Sequence, residues 1–316
     1  METLLERSGY GASFNNIYIT PTTIRKESKN EYGKVKIQKE MKFYKYLEEK
    51  NVNFTTPVIY DMDDTSYTME NLNGYVSLYT VFSKFTPEKK AYMLKRIYHE
   101  LDTLHKSSHI DISKDKLEEC LQIETHTKIL ERVEHVKTLI DTYSHIKKVN
   151  GTVLKSFDTV LSLISQKVKD YLHTLDTCRL YLIHGDCQFN NVLYNPSTEH
   201  IAFIDPRGYF GSIELYGMAE YDTAKVIFAL SGYDVFDNMD TVVLDIQDDT
   251  LHISNLFQLG EEGEEEEGKG VIFKPDDIAS VLAISVWLGN AHCFKHNPPK
   301  TVFSYFYAMY LASKYL

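Results

Sequence analysis

Apolar positions in the first 75 residues fall into two rhythms. Asn16-Ile17-Tyr18-Ile19-Thr20 and Thr22-Thr23-Ile24-Arg25 are β-rich runs broken by Pro21, whereas Ile37, Met41, Tyr44 and Leu47 recur at helical spacing on one face. Pro57-Val58-Ile59-Tyr60 and Tyr67-Thr68-Met69 read as further strands, separated by the Asp-rich turn Asp61 to Asp64. The pattern predicts a small α+β lobe over residues 1–74. After Gly74 the rhythm becomes helical, with Leu94, Ile97, Leu101 and Leu104 on one stripe. A second stripe carries Val153, Phe157, Val160, Ile164, Val168, Tyr171 and Leu175. Two short apolar runs, Leu180 to Ile183 and Ile201 to Ile204, then end in polar clusters, as strands that deliver reactive side chains do. Strand-like alternation returns between Thr241 and Phe273, and the C-terminus is helical. Residues 75–316 are therefore expected to form a larger, mainly helical lobe.

Charge changes this picture in one place. The 316 residues carry a net charge of −11, the wrong sign for a protein that holds nucleic acid by neutralising phosphates. Fourteen acidic residues against two lysines between Asp234 and Asp277 account for it, leaving the remainder near neutral. The six Glu of Glu261 to Glu267 read as a self-repelling solvated loop. Cys120, Cys178, Cys187 and Cys293 form no CxxC pair, so neither a zinc site nor a disulfide framework is indicated, and a reducing compartment fits. The opening METLLERSGYGASFNN has no apolar segment of the secretory kind. The stretch Ile278 to Phe294, 17 residues without Lys, Arg, Asp or Glu, is marginal for a bilayer and reads as a buried helix. A cytoplasmic protein without a membrane span is expected, with oligomeric state open.

The chemistry concentrates in Leu182-Ile183-His184-Gly185-Asp186-Cys187-Gln188-Phe189-Asn190-Asn191-Val192-Leu193 and Ile201-Ala202-Phe203-Ile204-Asp205-Pro206-Arg207-Gly208. Phosphoryl transfer needs a carboxylate near the acceptor hydroxyl and oxygen ligands for the magnesium that bridges the nucleotide phosphates. Asp186 suits the first role. Asn191 and Asp205 suit the second, because hard divalent cations take carboxylate and carboxamide oxygens and need few from the protein. As isolated residues all three would read as turn formers; their order, each group behind a short apolar strand, favours a site.

With HGD-x4-N followed by I-D-P, the chain resembles the aminoglycoside phosphotransferase and choline kinase family of small-molecule kinases. The resemblance runs from about residue 8 to about residue 310 and is most specific from His184 to Gly208. It implies a bilobal α+β fold of protein-kinase type, a small N-terminal β-sheet lobe and a larger helical C-terminal lobe. It also implies ATP and magnesium as cofactors and a small-molecule hydroxyl as acceptor. In that reading Asp186 is the catalytic base, Asn191 and Asp205 hold magnesium, and His184 braces the loop rather than carrying a proton. Gly185, where protein kinases have Arg, favours small acceptors over proteins.

The resemblance further implies a phosphate-covering loop, and Ser8-Gly9-Tyr10-Gly11-Ala12-Ser13-Phe14-Asn15-Asn16 lies where it belongs, Gly9, Gly11 and Ser13 being the contact residues. Phe14 replaces the last glycine of the usual pattern. Lys26, at the end of the strand Thr22 to Arg25, and Glu40, on the following helix, form the expected phosphate-steadying pair; Arg25 is the alternative to Lys26, and Lys29 a weaker one. Met69-Glu70-Asn71-Leu72 resembles the hinge that holds adenine, through Glu70 and Leu72. Arg207 either clamps an anionic substrate or caps its own loop. Asp222 and Lys225 are read as beginning and decorating a helix. His292, in Trp287-Leu288-Gly289-Asn290-Ala291-His292, is a candidate at the acceptor site. Downstream of Asp205, PRGYFGSIELYGMAEYDTAKVIFALSGYD resembles a subgroup of these kinases found in bacterial surface-polysaccharide and sugar-activation contexts, which implies a sugar or polyol acceptor, with choline, an amino alcohol or an aminoglycoside as alternatives; a protein kinase and a catalytically silent nucleotide-binding module are the readings from other classes.

Overall fold

The computed structural model describes residues 3–4, 14–253, 273–274 and 276–316. Gly9, Gly11, Ser13 and the acidic run Glu261 to Glu267 lie outside the described residues. In chain order the elements that matter here are β1 (Thr3–Leu4), β2 (Asn15–Ile19), β3 (Thr23–Ser28), α1 (Glu31–Glu49), β4 (Ile59–Met62), β5 (Ser66–Glu70), β6 (Val76–Ser77) and α2 (Pro87–Ser107). They continue with α3 (Phe157–His173), β7 (Cys178–Leu182), β8 (Val192–Tyr194), β9 (Ile201–Phe203), α4 (Ala219–Leu230), α5 (Ile278–Asn290) and α6 (Pro298–Tyr315). This is the mixed architecture expected, a small antiparallel sheet and a mainly helical remainder.

Two compact units form, one from residues 1–110 with 179–222, the other from 111–178 with 223–316. The first is built on a five-stranded antiparallel sheet in the order β1-β2-β3-β5-β4. Strand β3 runs on to Ser28, past the end expected at Arg25, so Lys26 sits within the strand, paired with Ile17 on β2 and Tyr67 on β5. Asn30 caps α1 by accepting the Gly33 N–H at 2.9 Å, with Glu31 in the first turn complementing the helix dipole. The face bearing Ile37, Glu40, Met41, Tyr44 and Leu47 is buried, as its spacing requires. At position 33 a Cβ would lie 2.3 Å from the Phe14 carbonyl oxygen, so only glycine lets α1 approach β2 this closely.

The segment after residue 74 does not break away from this unit at once. Strand β8 pairs with β9 (Val192 opposite Phe203) and with β6 (Leu193 opposite Ser77), which ties 76–77 to the chemistry-bearing loops. Helix α2 buries Met93, Ile97, Leu101 and Leu104; Met93 takes the place expected of Leu94.

The second unit packs α5 and α6 around Trp287, which is wholly buried; its indole N–H donates to Ser231 Oγ at 2.7 Å, and the ring meets Phe228 and Tyr307 at centroid distances of 4.8 and 4.9 Å. Helix α3 buries Val160, Leu161, Ile164, Val168 and Leu172. Val153, read as the start of that stripe, instead lies in a two-residue strand and is exposed, because the helix begins only after the Ser156 cap. The apolar stretch from Ile278 forms the buried α5 and a 3-10 turn, Ala291–Phe294. Among the described residues no helix is long and apolar enough to cross a membrane.

Candidate active site

Within the first unit, β3 and α1 deliver opposite charges to one point. Lys26 Nζ donates to Glu40 Oε1 and Oε2 at 2.9 and 2.8 Å and to Asp205 Oδ1 at 3.0 Å. Lys26 and Glu40 are 4% and 6% exposed, so this pair is taken out of water, where a lone charge would not survive. Burial opposes the lysine's charge, but Asp205 and Glu40 outweigh it and raise its pKa above the ordinary range. Burial likewise raises the Glu40 pKa, partly offset by Lys26. The Tyr67 hydroxyl, from the strand position facing Lys26, donates to Glu40 Oε2 at 2.9 Å and fixes the carboxylate from the other side. Arg25 points to the opposite face and pairs with Glu27 at 2.9 Å; Lys29 closes the strand with its N–H on the Phe14 carbonyl.

Strands β7 to β9 present the second group. Asn191 Nδ2 donates to the Asp186 carbonyl at 2.9 Å and to its Oδ2 at 3.2 Å, which turns the amide nitrogen to Asp186 and leaves the carboxamide oxygen as the acceptor that could take a hard cation. The Ile204 N–H donates to the Asn191 carbonyl at 3.0 Å, so the residue before Asp205 is tied to the loop that carries Asp186. Asp205 has a φ of 56°, the left-handed region that non-glycine residues occupy sparingly and that clusters at functional positions.

His184 braces the two loops to each other. Its Nδ1 accepts the Asp186 N–H at 3.2 Å, which leaves Nε2 as the protonated nitrogen, donating to the Ile204 carbonyl at 3.0 Å. Burial among Phe43, Phe54 and Phe203 lowers its pKa, so the ring is neutral. Gly185, with a φ of 76°, lets the loop turn sharply over Arg207, whose Cβ would be 3.0 Å from any Cβ at 185.

Asp222 is the organising residue that reading the sequence missed. Fully buried, its carboxylate accepts the N–H groups of His184 at 3.1 Å and Gly185 at 2.6 Å and meets His105 Nε2 at 2.9 Å. Cys187 Sγ donates to its carbonyl at 3.2 Å. It does stand in the first turn of α4, where it is expected to begin the helix, but its carboxylate is spent on holding the backbone just before Asp186. The one sequence signal was an acid in the first turn of a helix.

The remaining candidates are dispersed. Arg207 donates its N–H to the His184 carbonyl at 2.8 Å and lays its guanidinium over Tyr209, 4.1 Å from the centroid, while bonding the Tyr221 hydroxyl. Glu70 ends β5, its N–H on the Val58 carbonyl, and Asn71 uses both its N–H and its amide on the β2–β3 turn at Thr22 and Thr20, so Leu72 leaves the sheet at a fixed point. His292 lies in the second unit, its ring against that of His135.

No family model and no curated protein matches the sequence. Solved structures do match the fold. The gentamicin complex of APH(2")-IIa aligns over 97% of this chain and 90% of its own with a TM-score of 0.54 at 14% identity. Glucosamine kinase in complex with glucosamine, ADP and inorganic phosphate aligns over 99% and 78%, with a TM-score of 0.51 at 9% identity. The chain therefore has the protein-kinase-like fold of the aminoglycoside phosphotransferases, as the HGD-x4-N and IDP resemblance implies.

Proposed function

We propose that this chain is an ATP- and magnesium-dependent phosphotransferase whose acceptor is a hydroxyl of a small molecule. One observation carries the reading: a buried lysine held between Glu40 and Asp205, in the same unit as an Asn191 amide turned onto the Asp186 carboxylate. A lysine charged under this much burial is the group that meets nucleotide phosphates, and the glutamate behind it keeps it aimed. The fold shared with a glucosamine kinase and APH(2")-IIa supports the same class.

The hard oxygens of Asn191 and Asp205 fit magnesium, which takes one or two protein ligands and completes its shell with phosphates and water. Bound there, the ion would neutralise the charge that builds on the transferring phosphoryl group. Asp186 orients the acceptor hydroxyl and accepts its proton as the oxygen attacks the γ-phosphorus; the bond to the β-phosphate oxygen breaks and ADP leaves. Most of the rate comes from positioning and charge complementarity rather than from the base. We assign residues 1–74 to holding the nucleotide, with Gly9, Gly11 and Ser13 over the phosphates and Glu70 and Leu72 at the adenine, and residues 75–316 to catalysis and the acceptor.

The acceptor we favour is a sugar or polyol, supported by neighbours solved with glucosamine and gentamicin. The free cysteines, three of them buried, support a reducing, cytoplasmic setting. Nucleotide binding tests the assignment: Mg-ATP affinity should fall at least tenfold in Asp205→Asn and stay within twofold in Asp186→Asn. Equal affinity for all three proteins would remove Asp205 from the metal site.

A further inference from the structure

At the C-terminal end of α5 the second unit gathers bases. Arg132, on the helix Lys128–Glu134, lies against Gly289, where a Cβ would come within 3.3 Å of its Cδ and Nη1. Its only hydrogen bond among the described residues is a long one, 3.5 Å, to the Gly289 carbonyl. Just beyond that helix the His135 ring meets the His292 ring at a centroid distance of 4.8 Å, tilted by 38°. His292 emerges from the 3-10 turn Ala291–Phe294 with its Nδ1 buried and, among the described residues, without a hydrogen-bond partner. Burial, and after it the bases Lys295, His135, Arg132 and His296, lower its pKa to about 4. The acids of the Arg132 helix, Glu131 and Glu134, are exposed, and Glu134 faces Lys137 at 4.0 Å.

Bases crowded around a buried, unsatisfied imidazole nitrogen carry a standing cost, because a polar atom taken out of water has lost its solvent partner without gaining another. A guanidinium with most of its donors unspent among the described residues, set beside that nitrogen, matches the fork geometry of a carboxylate or phosphate. An anion would relieve both defects at once, giving Arg132 its bidentate partner and His292 its hydrogen bond.

We propose that the corner formed by Arg132, His135, His292 and Lys295 binds the anionic group, phosphate or carboxylate, of a small molecule. The site lies wholly in the second unit and does not rest on the kinase reading. Titration calorimetry on the full chain tests it with inorganic phosphate and glucuronate as probes and glucose as the neutral control. Arg132→Gln and, independently, His292→Gln should each weaken binding of the recognised probe at least tenfold, with thermal unfolding checking that both variants fold. Lys26→Met, which disables the proposed nucleotide phosphate site in the other unit, should leave that binding intact. Phosphate alone binding at this corner identifies a phosphoryl ligand, and glucuronate alone a carboxylate. If neither probe binds, or if binding is lost in Lys26→Met but kept in both second-unit variants, the proposal is wrong, whatever the outcome of the Asp205 and Asp186 tests.

Discussion

Replacing Asp222 by Asn isolates the carboxylate that holds the Asp186 loop. In the native protein one oxygen accepts the Gly185 N–H at 2.6 Å and the other accepts the His184 N–H at 3.1 Å while facing His105 at 2.9 Å. An asparagine has the same shape but only one acceptor oxygen, so its amide group must confront a backbone donor or the imidazole. At least one hydrogen bond to a charged acceptor is lost, and a buried N–H is left unsatisfied. Hydrogen bonds to charged groups contribute about 1.5–3 kcal/mol each and an orphaned donor costs a comparable amount, so a local loss of about 2–4 kcal/mol is expected. At roughly 1.4 kcal/mol per decade this becomes a faster exchange of the His184 and Gly185 amides by about 30-fold to 1000-fold. Hydrogen exchange over residues 180–190 in both proteins reads it directly. Exchange within threefold of wild type would show that Asp222 does not hold the loop.

Three further outcomes follow from the same geometry. Glu40→Gln leaves buried Lys26 with Asp205 as its remaining carboxylate; breaking a buried pair costs about 3–5 kcal/mol in full, and the surviving 3.0 Å contact should hold the loss to about half of that, measured by urea unfolding. Burial depresses the folded pKa of His184 below its ordinary 6.5, so the unfolded chain binds the extra proton; this contribution is complete above pH 6.5 and is lost as pH falls towards the folded value, by at most about 1.4 kcal/mol per pH unit. Urea midpoints from pH 7.5 down to 5 should fall less steeply in His184→Gln than in wild type, and parallel curves would contradict a neutral buried ring. Gly33→Ala drives a methyl to 2.3 Å from a backbone oxygen that cannot swing aside, and overpacking of this kind costs about 1–3 kcal/mol; an unchanged melting temperature would show that α1 does not seat against β2 as described.

The parts of the site that were legible in the sequence are those built by local order. His184 to Asn191 leads into β8 and Ile204 to Gly208 leaves β9, and two adjacent antiparallel strands have little choice but to bring the start of one to the end of the other. Lys26 and Glu40 were expected as a pair from the kinase resemblance, with Glu40 near the apolar stripe of its helix; strand alternation alone left Arg25 as the alternative, and the strand runs on past the end read there. Asp222 and Tyr67 were not readable. Their roles depend on which distant backbone or carboxylate they meet, and neither β-alternation at Tyr67 nor a first-turn acid at Asp222 names a partner 27 or 37 residues away. The pairing of β6 with β8 is similarly non-local, and it is what carries the first compact unit past residue 74.

Phosphoryl transfer to a small hydroxyl is tested most directly by ADP release from Mg-ATP with pooled sugars, polyols, amino alcohols and aminoglycosides. One sugar or polyol pool should stimulate release, and both Asp186→Asn and Asp205→Asn should abolish the stimulation. Stimulated turnover that survives in both variants would contradict the assignment of these residues to the reacting centre.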